Sequence, residues 1–395
     1  MVVSSAKARS GEAVFRLGCS PMDARTEPPF RAEHVGSLLR PRALVQARHD
    51  HAAGRIDTGR LRAAEDEAIR DVVALQEDLG LRVATDGEFR RTSWHMDFVY
   101  RLGGVVHTDE ELVVEFRNDE GTGQFIAAGL AVRAPLHLDE PIFVDDFRFL
   151  SEQVRTATPK MTLPSPSMVL LRSGTAAVDR SVYPDLDRFW ADLAAAYAEE
   201  IRALAAAGCR YLQLDDTSLA CLNDPSQRAA LAERGDDAEH THERNIRTIN
   251  AAVADRPEGM RIAAHVCRGN FRSSWIAEGG YDYVAEELFG GLDVDAFFCE
   301  FDDERSGGFA PLRFVPPGKQ VVLGLVTTKR GRLEDPDELK RRIDEAAKYV
   351  PLDQLSLSPQ CGFSSTVEGN VLNPYQEVDK LRLVVDVARD VWGDV

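Results

Sequence analysis

Eight short apolar runs, at residues 32–39, 81–87, 160–166, 211–216, 261–268, 296–302, 320–328 and 355–361, alternate with longer stretches whose apolar residues recur at helical spacing. Between 185 and 207 that stripe is Phe189, Leu193, Ala196, Tyr197, Ile201 and Leu204, and Gly208 supplies a helix stop. Asp335-Pro-Asp-Glu338 places a capping acid, a first-turn proline and a carboxylate where a helix begins, and Asn373-Pro-Tyr-Gln376 repeats the device. Runs that are mostly apolar, rather than apolar at every second residue, suit strands covered on both faces, as in parallel sheets flanked by helices. Eight such units predict a (β/α)8 TIM-type barrel, one catalytic domain over residues 30–395, with its chemistry at the C-terminal ends of the strands.

Two stretches leave this rhythm. Residues 1–29 are rich in Ser, Ala, Arg and Pro, lack a continuous apolar segment and are expected to form a disordered extension, with Met22 an alternative natural start to Met1. Residues 94–158 follow the second run with β-rich segments around 111–117, 124–132 and 140–144, the first two joined by Asn-Asp-Glu-Gly-Thr-Gly. They predict an insertion, a hairpin or small sheet over the barrel mouth.

Charge and cysteine usage narrow the partners. A net charge of −18 opposes binding to nucleic acid or to an anionic membrane, both of which reward clustered Lys and Arg, and no stretch is long and apolar enough to span a bilayer. The six cysteines are scattered without the spacing of a disulfide framework, which suits a reducing cytoplasm and leaves thiols free for metal or catalysis. An enzyme acting on small molecules fits these properties, and a homo-oligomer is compatible with them.

Three of the runs end in metal-binding side chains. Arg261-Ile-Ala-Ala-His-Val-Cys-Arg-Gly-Asn270 sets His265 and Cys267 two residues apart, hence on one face of a strand. Phe297-Phe-Cys-Glu-Phe-Asp302 brings Glu300, and Leu355-Ser-Leu-Ser-Pro-Gln-Cys-Gly362 brings Cys361. Imidazole, thiolate and carboxylate together suit Zn²⁺. The His-x-Cys pair alone describes equally well a core thiol beside a hydrogen-bonded histidine, and a one-residue slip in the run 296–302 would present Cys299 instead of Glu300. Ser37 beside Gly36, Glu88 in Asp86-Gly-Glu-Phe-Arg-Arg91 and Asp215 in Gln213-Leu-Asp-Asp216 stand at three further run ends. Each by itself also reads as a helix cap; together they ring one rim and can face the ammonium and polar groups of an amino-acid thiol. His49, His51, His240 and His242 lie in polar stretches and are expected in solvent, whereas His95 falls just beyond Arg91.

These motifs carry a family resemblance. With Val-Gly-Ser at 35–37, Asp-Gly-Glu at 86–88, Gln-Leu-Asp at 213–215, His-Val-Cys at 265–267, Glu300 and Pro-Gln-Cys-Gly at 359–362, the sequence resembles the catalytic barrel of cobalamin-independent methionine synthase, in its short single-barrel branch. The resemblance implies a thiol methyltransferase of methionine biosynthesis, with Zn²⁺ held by His265, Cys267, Glu300 and Cys361. It also implies that Ser37, Glu88 and Asp215 contact homocysteine or a similar thiol. Lys329, in Gly324-Leu-Val-Thr-Thr-Lys329, stands where the family carries a histidine proton donor, which implies a catalytic acid; a lysine there equally suits binding of an anionic donor or product, or the solvated basic run Lys329-Arg-Gly-Arg332. Two thiolates, a carboxylate and a neutral imidazole leave the zinc site net negative, which favours an electron-rich thiolate over activation of water.

The methyl donor stays open. The second, N-terminal barrel that helps full-length members bind a polyglutamylated folate has no room here, and Pro164-Ser-Pro-Ser-Met-Val169 stands where their folate-stacking tryptophan is expected. The donor is a folate, a methylated corrinoid or its carrier, or a small sulfonium or other methylated compound. The resemblance reaches epoxyalkane:coenzyme M transferases, for which Arg90, Arg91 and Arg268 would receive a sulfonate. Outside enzymes, a non-catalytic zinc-binding protein uses the same residue types, although structural zinc sites favour cysteine pairs close in sequence.

Overall fold

The computed structural model describes residues 25–118 and 121–395. Its strands are β1 (Val83–Ala84), β2 (Gly103–Asn118), β3 (Gly121–His137), β4 (Thr158–Pro164), β5 (Tyr211–Asp216), β6 (Arg261–Val266), β7 (Ala296–Glu300), β8 (Gln320–Val326) and β9 (Leu355–Pro359). Seven of them form one parallel sheet in the order β1-β4-β5-β6-β7-β8-β9, while β2 and β3 make a separate antiparallel pair. Every residue of β5, β7 and β9 is buried, as mostly apolar runs require. The curled sheet with helices between its strands is an α/β architecture consistent with a TIM-like barrel.

Alternation divides each strand between two cores. Phe30, Val35, Val83, Tyr211, Ala263, Ala296, Phe298 and Val322 pack inside the curl, whereas Leu212, Leu214, Ile262, Ala264, Phe297, Cys299 and Phe301 join the larger layer under the helices. Cys299 therefore faces the helices and Glu300 the interior. The helix Leu186–Ala206 shows how the outer layer forms: Phe189, Leu193, Ala196, Tyr197, Ile201 and Leu204 are buried, and Asp185 caps its start by accepting the Asp187 N–H at 2.9 Å. Asp335 and Asn373 cap their helices as the sequence predicts, the latter in a reciprocal capping box with Gln376.

Four expectations need correction or restriction. Residues 32–39 do not form a strand: a single parallel bridge joins Ala32 to Leu357, with Glu33 N–H on Leu357 O at 2.9 Å, and Leu38 N–H reaches Gly87 O at 3.2 Å. The chain here is bent, because Glu33 Oε1 accepts the Phe30 N–H and Gly36 sits at φ +143° with no space for a side chain against Thr162. Residues 140–144 are not a strand either; Val144 opens a helix (Val144–Gln153) with Asp145 and Asp146 in its first turn, and Phe147 and Leu150 buried three residues apart. The disordered extension falls, for residues 1–24, outside the described residues, but Arg25 is held against the sheet, its N–H on Asp394 at 2.9 Å and its guanidinium on Ser356 Oγ at 2.7 Å. His242 is buried rather than solvated, on the inner side of the helix Thr241–Val253 with its ring edge-on to Tyr283. Among the described residues no helix is long and apolar enough to cross a membrane.

Candidate metal centre

Three strands of the parallel sheet, β6, β7 and β9, deliver the metal-binding side chains to one point. His265 lies in β6 with Cys267 just past its end; the Cys267 N–H donates to Asp216 O at 2.7 Å, which keeps the backbone extended beyond the strand. Glu300 closes β7, and Cys361 follows β9 by two residues. All four are buried, and one donor atom from each lies within 4.8 Å of the others. Cys267 Sγ and Cys361 Sγ are 3.5 Å apart.

The donor set fits a cation by its unmet valences as well as by its chemistry. Among the described residues neither ring nitrogen of buried His265 has a hydrogen-bond partner, and Glu300 Oε2 has none, a combination that burial makes costly unless something charged completes it. Glu300 Oε1 is meanwhile fixed by the Arg268 N–H at 3.0 Å and Asn270 Nδ2 at 2.8 Å. Two sulfurs, a nitrogen and an oxygen converging in this way suit zinc. The electrostatics agree: the hydrogen bond from Cys361, then the His265 charge, hold Cys267 far below the usual thiol range, while donating to Cys267 and burial push Cys361 up. Burial would depress His265, but Cys267, Asp215 and Glu300 outweigh it and raise it. Burial and then Cys267 lift Glu300 to about 7.

Beside the sulfurs is a cavity of about 30 Å³, lined among others by Ser37, Glu88 and Asp215, the three rim residues expected to meet an amino-acid thiol. Asp215 is raised to about 7 by burial, against the pull of His265, and accepts from Gln213 Nε2 at 2.6 Å. Glu88, at the left-handed φ of 61°, takes Thr162 Oγ1 at 2.9 Å on one oxygen and leaves the other unpartnered; burial raises it too. Ser37 approaches so closely that a Cβ on Gly362 would sit 2.0 Å from its Oγ, which explains a glycine immediately after Cys361. Lys329 is placed differently: it does not line this cavity, and its 3% exposed side chain pairs with Asp302, with Asp303 at 3.9 Å.

Sequence reasoning missed several lining residues. Asn270, Trp94, Thr217 and Gly269 complete the cavity wall; Asn270, three residues after Cys267, was legible only as part of the strand exit. Also missed was the fully buried pair Lys160–Glu33, 3.3 Å apart, which links through Gln213 (3.2 Å from Lys160 Nζ) to Asp215. The arginines expected to receive a sulfonate are already engaged. Arg90 pairs with Asp66 and Asp146, Arg91 donates to Thr162 O at 2.8 Å, and Arg268 donates to Glu300 O at 3.1 Å.

A curled parallel α/β sheet with a thiolate-rich donor cluster at its strand ends is consistent with a TIM-like barrel that carries a possible metal site where such folds place their chemistry. A family profile described as "Cobalamin-independent synthase, Catalytic domain" matches residues 30–390. The chain belongs to that family, whose members are methyltransferases. It is 47% identical over 371 residues to an uncharacterized protein, YxjH, of Bacillus subtilis, covering 94% of this chain and 97% of that one. It is 24% identical over 330 residues to a methionine synthase of Pyrococcus abyssi, 83% of this chain and 84% of the other. Among solved structures, a putative vitamin-B12 independent methionine synthase from Listeria monocytogenes superposes with a TM-score of 0.74 at 37% identity over 93% of this chain and all of that one. A B12-independent methionine synthase from a Shewanella species, in complex with selenomethionine, shares the fold with a TM-score of 0.68 at 20% identity, over 91% of this chain and 97% of the other.

Proposed function

We propose that the protein transfers a methyl group to the sulfur of homocysteine or a closely similar amino-acid thiol, giving methionine or its analogue. The observation that carries this reading is the convergence, on one small cavity, of a two-sulfur metal donor set with the unpartnered carboxylate oxygen of Glu88 and the carboxylate of Asp215. Residues 30–38 are taken to fill the eighth position of a closed (β/α)8 barrel, with 94–158 as its insertion. His265, Cys267, Glu300 and Cys361 would hold zinc. When bound, zinc supplies a Lewis acid that keeps the acceptor sulfur as thiolate near neutral pH.

The chain's own residues do the rest. Asp215 and Glu88 face the ammonium of the acceptor, and burial of both makes a cationic partner worth more than it would be in water. Ser37 and the backbone at Gly362 set its opposite edge. The sulfur forms its bond to the methyl carbon as the bond to the donor breaks and the donor keeps the electron pair; the acceptor's thiol proton is released, and a donor whose leaving group is basic takes up a proton. Lys329, with its ammonium ordered by Asp302, is the proposed donor of that proton. The five described cysteines are free, which is consistent with a cytoplasmic setting.

The test is homocysteine titration by calorimetry. Asp215→Asn is expected to weaken homocysteine about tenfold or more and leave zinc content unchanged, because it removes a charge-assisted contact and no metal donor. Equal homocysteine affinity in both proteins, or equal affinity with and without metal, sinks the reading. Product mass spectrometry over a panel of folate, corrinoid and sulfonium donors then identifies the second substrate. With Lys329→Met, turnover should fall most for a donor whose leaving group needs a proton; an equal loss with a self-sufficient leaving group removes Lys329 from proton transfer.

A further inference from the structure

The cavity beside Cys267 and Cys361 shares Trp94, Thr217, Gly269 and Asn270 with a second cavity of about 300 Å³, walled by Phe116 and Phe125 of the hairpin and by Phe271. A third cavity, of about 570 Å³, meets the second at Leu171, Arg172 and Ile276. Arg172 thus stands on the boundary between two chambers that lead to the metal centre. It is half-buried, and among the described residues its guanidinium makes no hydrogen bond and no ion pair; only its carbonyl is engaged, by Arg234 at 2.9 Å.

The other charges around these chambers are paired or exposed; Glu111, Glu115 and Glu233, which line the third cavity, are exposed. Arg234 pairs with Asp236 at 3.4 Å, and Arg244 lies 4.6 Å over the Trp190 ring while donating to Thr241 Oγ1 at 3.3 Å. Asp97 accepts the N–H groups of Thr92 and Ser93, and Glu368 is exposed. The groups that feel the charge of Arg172 are His95, Tyr100 and Cys221, none of them a carboxylate. A guanidinium stays charged in proteins, and holding it half-buried without a counter-ion among the described residues is costly. Its planar fork matches carboxylate and phosphate oxygens.

We propose that Arg172 is the anion-binding residue of the alkyl-donor subsite. The donor sets an aromatic or apolar body among Trp94, Phe116, Phe125 and Phe271, beside the opening to the inner cavity, and a carboxylate or phosphate against Arg172. This rests on the reading that the inner cavity holds the thiol acceptor, and it narrows the donors left open above: a sulfonium or quaternary ammonium compound without an anionic group meets an uncompensated positive charge.

Calorimetry on the full zinc-loaded chain tests it with four probes of similar shape: benzoate, phenyl phosphate, neutral benzamide and cationic trimethylanilinium. Benzoate or phenyl phosphate should bind the wild type and lose about tenfold or more with Arg172→Met, with partial recovery in Arg172→Lys; benzamide should respond to neither change. The stronger of the two anions tells carboxylate from phosphate. Homocysteine titrated into the same variants should keep its affinity, so loss of the anion alone supports the subsite. If homocysteine binds no variant while the anion still depends on Arg172, the acceptor reading fails and the anion site stands. Absence of binding by both anions, equal anion affinity in wild type and Arg172→Met, or tighter trimethylanilinium than benzoate overturns the proposal.

Discussion

At the strand ends His265, Cys267, Glu300 and Cys361 are all buried, and Glu300 is held by hydrogen bonds from Arg268 and Asn270. In the β2–β3 hairpin Val113 and Ile126 stand 59% and 57% exposed, and only the residues facing inward, such as Phe116 and Ala127, are buried. The hairpin reaches the centre through a few contacts with the segment that follows Cys267: Arg117 and Trp275 exchange backbone hydrogen bonds at 2.8 and 2.9 Å, and Phe116 and Phe125 pack on the Phe271 ring at 5.0 and 4.8 Å. The sheet fixes donor atoms to within a hydrogen bond's tolerance, while the hairpin supplies one apolar wall. A site divided in this way should lose the metal when the sheet side is cut, and lose only the second substrate when the hairpin is cut.

The largest effect should come from the sheet side. Cys361→Ser removes one of two thiolates from a set in which, among the described residues, both ring nitrogens of His265 and Glu300 Oε2 have no partner. Zinc affinity should fall more than about 100-fold, beyond the 10- to 100-fold typical of residues that only support a ligand. Metal analysis after dialysis against a chelator measures it, with circular dichroism to show that the fold survives. Full zinc retention would dissolve the contrast, since the cluster would then be no more than a buried thiol pair.

A smaller and more selective effect belongs to the hairpin. Phe125→Ala opens the wall shared with Phe271 and should raise the KM for the donor about tenfold, with homocysteine affinity and zinc content unchanged. Val113→Thr, at a 59% exposed position, should shift stability by less than about 0.5 kcal/mol. If Phe125→Ala also released zinc, hairpin and centre would be one mechanical unit.

How much of this was legible in the sequence follows the same division. The runs ending at His265, Glu300 and Cys361 were readable because a buried parallel strand must be mostly apolar, so any polar residue at its exit stands out. The one-residue ambiguity between Cys299 and Glu300 was resolved only by pairing, which puts Phe298 inside and Cys299 under the helices. Residues 32–39 misled because apolar content says nothing of backbone bends, and the bend at Gly36 depends on the distant Thr162. The Lys160–Glu33 pair and Arg172, unpaired among the described residues, were invisible, since partners separated by up to 127 positions, or the lack of any, leave no local pattern.

The smallest expected effect tests a carboxyl that supports the site from behind the sheet. Glu377, on the helix Pro374–Trp392, is buried and takes the Leu39 N–H at 2.8 Å, fixing the segment that carries Ser37. Burial raises its carboxyl from 4.5 to about 8, the single hydrogen bond from Leu39 opposing this only in part. A group bound more tightly to its proton in the folded state stabilises fully below its unfolded value, and that contribution is lost as pH rises through the folded one. Wild-type stability should therefore decline between about 4.5 and about 8 from this group. Glu377→Gln keeps an acceptor for Leu39 and cannot ionise, so its own profile should lack that decline. Calorimetric Tm values at acidic and alkaline pH should show the variant gaining on the wild type by about a few °C as pH rises, with zinc content constant. A difference in Tm that does not change with pH would mean that Glu377 is ionised throughout, and that a partner other than Leu39 compensates it.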